Sequence, residues 1–277
     1  MKIVMMTDME GCAGILNHDE WVIPDGRHYD QGRRLLTEEV NAAIAGLMDG
    51  GATEIVVVDG HGAGGIDPER LDPRAELERG SRRHAYPFGL DAGCAGVAHV
   101  GQHAKAGTAW SHITHTEWFN YIELSVNGVS IGEYGQTVLC ARELGIPSVL
   151  ACGENAFAEE ARALSPGVVA VGVKQGLLPD GLDELTTDEY RRAKLSARHL
   201  SPTRARELIR AGALEAARRL RTDPRSFRYV DLQPPYVRTA RFRHTGDASP
   251  WAARDEHPSS FIALMNTPFT KAEEPPQ

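Results

Sequence analysis

Lys2-Ile3-Val4-Met5-Met6-Thr7-Asp8-Met9-Glu10-Gly11 is the stretch that decides how this chain is read. Ile3 to Met6 is an unbroken apolar run, too short for a membrane span or a signal-peptide core. Its length and its polar flanks predict a buried strand over Lys2–Thr7, of the kind found inside parallel sheets. Asp8 and Glu10 follow at once. Two residues apart in extended chain, they point the same way, and acids leaving such a strand stand where open α/β sheets bind ligands.

Working outward, the pattern repeats. A helical periodicity covers Asp30–Met48 and stops at Gly50-Gly51, after which Glu54–Asp59 reads as a second strand and Gly96–Gly101 as a third. Tyr121–Val126 and Val129–Ile131 flank Asn127-Gly128, the dipeptide most typical of a two-residue hairpin. Helices over Gln136–Leu144 and Phe157–Leu164 alternate with strands over Pro147–Cys152 and Gly167–Lys174. Leu178–Ser201 is polar and irregular, and Ser201-Pro202 opens a helix to Leu220 with serine as N-cap and proline at its first position. Tyr229–Leu232 and Tyr236–Phe242 are strand-like, Phe261–Met265 is apolar again, and the tail from Ala272 is expected to lack order.

The expected fold class is α/β: a mostly parallel sheet flanked by helices, with a hairpin and a smaller second α/β domain. The expected domains are 1–155, catalytic and metal-binding, and 156–277, smaller and C-terminal.

The 277 residues carry 30 lysines and arginines against 38 acids, a formal charge of −8, which argues against a nucleic-acid partner. No later stretch is apolar enough for a membrane. Cys12, Cys94, Cys140 and Cys152 lie far apart with no CxxC pair, as free thiols in a reducing compartment do; a cytoplasmic protein is expected. A P-loop and a GxSxG elbow are missing, and Gly60-His-Gly-Ala-Gly-Gly lacks dinucleotide-binding spacing.

Carboxylates and imidazoles gather at the strand ends. Asp8 and Glu10 follow the first strand, Asp59 and His61 end the second, His103 follows the third, and Glu133 follows the hairpin. Each has an ordinary explanation alone: a turn cap, a surface acid, a satisfied polar ring, a first-turn helix acid. Together they would converge on one crevice, beside glycines (Gly11, Gly60, Gly62, Gly132, Gly135) that let backbone turn close to a ligand. This donor set suits zinc or a similar divalent metal. Three acids with two histidines exceed one closed tetrahedral site and suit two metals sharing a carboxylate, with Asp8 the natural bridge. Asp59 would orient His61 or cap the turn. His112 and His115, in Trp110-Ser-His-Ile-Thr-His-Thr, could be ligands, a proton relay or loop histidines.

Thr7-Asp-Met-Glu-Gly11 resembles the SxDxEG motif of the M55 metallopeptidases, zinc-dependent D-aminopeptidases of the bacterial dipeptide-transport operon. The likeness continues in order through Tyr29–Arg33, Thr37–Asn41, Val58–His61, Gly101–Lys105, Asn127–Glu133, Gly153–Asn155 and Val173–Gln175. The resemblance implies two zinc ions per chain, with Asp8 as bridge and Glu10, His61, His103 and Glu133 as further ligands. It implies a catalytic histidine 18 residues before Glu133, which is His115, with His112 the alternative. It also implies a ring-like homo-oligomer, a decamer, that releases N-terminal D-amino acids of the D-alanine type from short peptides. The competing readings are a two-metal phosphatase or phosphodiesterase, and an inactive, metal-stabilised peptide-binding protein.

Overall fold

The computed structural model describes residues 1–80 and 86–272, so the tail beyond Ala272 lies outside the described residues. In chain order the strands are β1 (Lys2–Thr7), β2 (Glu54–Asp59), β3 (Ala75–Glu78), β4 (Gly96–Gln102), β5 (Tyr121–Val126), β6 (Val129–Ser130), β7 (Ser148–Glu154), β8 (Val169–Gly176), β9 (Ala197–His199), β10 (Tyr236–Phe242) and β11 (Trp251–His257). The helices are α1 (His18–Trp21), α2 (Tyr29–Asp49), α3 (Glu133–Glu143), α4 (Asn155–Leu164), α5 (Thr187–Ala193), α6 (Pro202–Thr222) and α7 (Phe261–Met265).

Seven strands form the main sheet in the order β3-β2-β1-β4-β7-β8-β9, parallel except for β9. The β1 run is buried on both faces: Ile3 and Met5 enter one core, Val4 and Met6 the other. The first core is closed by α2 and α6, which pack against each other. The spacing of Leu36, Val40, Ala43, Ile44 and Leu47 puts one face of α2 there. Each of the leucine, valine and isoleucine side chains taken from water contributes roughly 1.5–3 kcal/mol. Ser201 caps α6 by accepting from the Arg204 N–H at 3.3 Å, with Pro202 at the first turn.

The second core lies between the other face of the sheet, α3, α4 and a four-stranded antiparallel sheet ordered β11-β10-β5-β6. β5 and β6 form the expected hairpin, with Asn127 at φ +50° and Gly128 at φ +78°, the left-handed pair that a tight hairpin turn requires.

The two sheets do not divide at residue 155. The hairpin β5–β6 belongs to the antiparallel sheet, while β8, β9 and α6 return to the main one. Tyr229–Leu232 forms no strand: the Arg228 and Val230 N–H groups donate to the carbonyls of Pro166 and Leu164, at 2.8 Å each, so the segment is tied to the end of α4 rather than to a ladder. β3, β9 and β11 and the short helices α1 and α5 were not expected from the apolar pattern.

Chain order reverses at β1. It runs outward through β2 to β3, then crosses to β4, β7 and β8 on the other side. Such a switch point opens a crevice beyond the carboxyl ends of the two central strands, here β1 and β4.

Candidate metal centre

The loops leaving β1 and β4 run side by side. Asp8 N–H donates to Val100 O at 3.0 Å and Gly11 N–H to Gly101 O at 2.7 Å. No side chain fits between them. A Cβ on Gly101, at φ +78°, would lie 2.0 Å from the Asp8 carbonyl, and one on Gly11 2.0 Å from that of Gln102. The two glycines therefore bring Asp8 and His103 to the same point.

Asp8 stands between two groups of donors. Its Oδ1 lies 3.1 Å from His61 Nδ1, and Glu10 Oε2 is 3.3 Å from the same nitrogen. Its Oδ2 lies 3.1 Å from His103 Nε2, and Glu133 Oε1 is 3.4 Å from that nitrogen. One carboxylate thus gives one oxygen to each side. Two sets of ligand atoms, from Asp8, Glu10 and His61 and from His103, His115 and Glu133, are each close enough to hold one ion.

The far nitrogen of each imidazole is occupied. His61 Nε2 donates to Val22 O at 2.9 Å, His103 Nδ1 to Ala104 O at 2.9 Å and His115 Nδ1 to Ile113 O at 2.8 Å. A neutral ring fixed in this way turns its lone pair to the centre, the arrangement metal-binding histidines need. Gln102, which motif reading passed over, donates from Nε2 to Asp8 Oδ2 and to Glu133 Oε2, 3.0 Å each, and so spaces the two acids.

Among the described residues, Glu10 Oε2 and His103 Nε2 are buried without a hydrogen-bond partner. Leaving such atoms unmet is costly unless something else satisfies them, and a cation in each of the two donor groups fits. Electrostatics agree. Burial disfavours charge on His61, but Glu10 and Asp8 hold its pKa well above the ordinary value. Burial also opposes charge on His103, where Glu133 and Asp8 do the same. Asp8, despite its burial, is held well below the carboxylate range by His103 and His61. Carboxylates that draw a proton onto these rings would draw a divalent cation equally.

His115 lies over the centre. Its Nε2 is 3.9 Å from Glu10 Oε1 and 4.0 Å from Glu133 Oε1. The ring stacks between His103, at 3.9 Å, and Phe119, at 4.3 Å. Burial, then the neighbouring His103, push its pKa down to about 4. His112 turns away: its Nε2 faces Leu16 O at 3.2 Å, and its ring meets His199 edge-on. Asp59 does not reach the His61 ring. Its carboxylate accepts from the N–H groups of Gly65 and Ile66 and pairs with Arg79 at 3.2 Å, so it caps the turn after β2. The Val22 carbonyl, brought in by the chain after α1, takes the orienting role instead.

Behind the centre, Glu154 at the end of β7 is fully buried. Its two oxygens accept from the N–H groups of Ala104 and His112, at 2.8 Å each, tying the His103 loop to the loop that carries His115. Buried Lys174, on β8, donates to the carbonyl of Glu10.

The family model of the M55 peptidases, described as D-aminopeptidase, matches residues 1–255. The chain belongs to the M55 peptidase family. A D-aminopeptidase of Bacillus subtilis (strain 168) is 34% identical over 180 residues, 63% of this chain; the chain spans just under two thirds of that relative, 64% of its length. The solved structure of the Zn-dependent D-aminopeptidase DppA from Bacillus subtilis, described as a self-compartmentalizing protease, superposes with a TM-score of 0.79. It covers 96% of this chain and 94% of that one at 24% identity, a likeness that shows a shared fold. Among the described residues no helix is long and apolar enough to cross a membrane.

Proposed function

We propose that the chain is a two-zinc aminopeptidase that removes an N-terminal D-amino acid, D-alanine above all, from short peptides. One observation carries this reading: the Asp8 carboxylate divides its oxygens between two donor groups, each completed by an acid and an imidazole. Asp8, Glu10 and His61 would hold one ion and Asp8, His103 and Glu133 the other. A zinc pair bound there supplies a water of lowered pKa and a Lewis acid for the scissile carbonyl.

The chain's own groups do the rest. The cavity over the centre, about 200 Å³, is walled by His18, Val22, Ile23, Ala63 and Trp118 and limits the water around the reacting amide. His115 moves the proton at Nε2, the nitrogen left free by the bond to Ile113 O. It takes a proton from the attacking water and returns it to the departing amine. The stack of His103 and Phe119 on its two faces keeps that nitrogen aimed. The similar solved D-aminopeptidase is described as self-compartmentalizing, and on that likeness this chain assembles into a ring-like homo-oligomer around its active sites. Its four cysteines are buried and unpaired, in keeping with a cytoplasmic setting.

The test is elemental analysis of protein purified without chelator, paired with an assay of D-alanine release from D-alanyl peptides. About two zinc ions per chain and release that stops with chelator are expected. Protein that takes up no zinc, or that frees phosphate from esters but no amino acid from peptides, would overturn the reading.

A further inference from the structure

A second, smaller cavity of about 70 Å³ adjoins the metal centre. It runs beneath Met6, Thr7, Phe88, His99 and Thr137, and it shares Asp8, Gly60, Glu117 and Glu133 with the larger one. Asp8 and Glu133 belong to the metal ligands. Glu117 is thus the carboxylate at the junction that has no part in holding metal.

Glu117 is held there at some cost. Its backbone sits at φ +57°, the left-handed region that a non-glycine residue adopts only when its surroundings impose it. Its N–H donates to Glu133 Oε1 at 2.7 Å, and the Tyr86 hydroxyl donates to its own Oε1 at 2.9 Å. Among the described residues no donor is bonded to its Oε2. His99, in the wall of the smaller cavity, is 1% exposed, and among the described residues both its ring nitrogens lack partners. A buried polar ring with nothing to bond, beside an open space, is a group that a guest can satisfy.

We infer that Glu117 holds the free α-ammonium of the substrate and that the smaller cavity receives the side chain of its first residue. This rests on the peptidase reading above and assigns the groups that choose an N-terminus over an internal peptide bond. The larger cavity then takes the remainder of the peptide. An ammonium placed between Glu117 and Glu133 makes a charge-assisted hydrogen bond and relieves the repulsion between the two carboxylates. An internal residue presents a neutral amide there and leaves Glu117 without a counter-charge beside Glu133, which disfavours it. The apolar Met6 and Phe88 with the polar Thr7, Thr137 and His99 suit a short side chain, either aliphatic or hydroxylated.

The experiment compares binding of D-alaninamide and N-formyl-D-alaninamide to the zinc-loaded protein by calorimetry, alongside kinetics on a D-alanyl peptide. Wild type should prefer the free amine. Glu117→Gln should weaken D-alaninamide roughly 10- to 100-fold and raise KM to match, while zinc content stays the same. Tyr86→Phe, which releases Glu117 without removing its charge, should give a smaller loss of the same kind. Phe88→Ala should improve binding of amides with bulkier first residues. Equal binding of the free and formylated amides by wild type, or an unchanged preference in Glu117→Gln, would overturn the assignment. Binding that follows Glu117 in a protein that cleaves no peptide would sink the peptidase reading and leave the ammonium site standing.

Discussion

The carboxyl ends of β1 and β4 and those of β7 and β8 are built on opposite terms. Past β1 and β4, Glu10 Oε2 and His103 Nε2 are buried with no hydrogen-bond partner. At the end of β7 both oxygens of Glu154 accept backbone N–H groups, and on β8 Lys174 is bonded to the Glu10 carbonyl. Both regions bury charge, so burial alone does not mark a functional site. The difference is satisfaction. Where the chain has met every polar atom it is holding itself together, and where it has left several converging atoms unmet it is prepared for something it does not contain.

The largest effect should come from the unmet side. Asp8→Ala removes the oxygens on which both donor groups depend, so zinc should fall toward zero per chain and peptide hydrolysis to the background rate, both read on the same preparation. Loss of only half the metal would show that the two groups bind independently and that Asp8 is no bridge. His115→Ala should lower kcat by ~10²–10⁴-fold with zinc retained; unchanged turnover would take the proton-transfer role from this ring. Glu154→Gln sits on the met side and touches no metal ligand side chain. It puts an NH₂ group against one of the two N–H groups that Glu154 now accepts, so it should loosen the His103 and His115 loops. The expected cost is roughly 10- to 100-fold in activity or zinc affinity. Full activity in this variant would show that the two loops hold their places without the tie.

The contrast also explains what could be read in the sequence. The main strands and the five acids and histidines at their exits were legible, because a buried parallel strand leaves an unbroken apolar run and its end is where polar residues become conspicuous. Glu154 and Lys174 stand at equivalent places inside stretches that carry the family resemblance, but nothing in the residues gives their role: a charge whose partners are backbone groups from distant loops looks like any strand-end charge. Gln102 was hidden beside His103, and Glu117 in a loop whose left-handed backbone no periodicity announces. Asp59 and the choice between His112 and His115 turned on which way a loop faces. Among strands, β3 (Ala-Glu-Leu-Glu) is short and largely exposed, and β11 pairs with β10 through Arg254, Asp255 and Glu256, residues that disguise an edge strand. The division of the chain between sheets was obscured for a topological reason: the hairpin leaves for the second sheet before β7 returns to the first.

The smallest effect on turnover concerns Glu39 on α2, a buried acid outside both regions that shares their contrast within one side chain. It is 1% exposed; its Oε1 accepts from the Ala13 N–H at 2.9 Å, while its Oε2 has no partner. Burial raises its pKa from 4.5 to about 7, against the pull of that N–H. The fold therefore favours the neutral acid. The stability that preference contributes is fully present below the unfolded pKa near 4.5 and is lost as pH rises through about 7. A shift of this size corresponds to an effect on the order of 3 kcal/mol across the window. Glu39→Gln is neutral at every pH and keeps an oxygen for Ala13, so its melting temperature relative to wild type should climb between pH 4.5 and 7 while kcat stays near the wild-type value. Parallel pH profiles for the two proteins would mean that Glu39 carries its charge throughout, met by Lys174 from β8, and that the buried layer behind the metal centre is ionic rather than neutral.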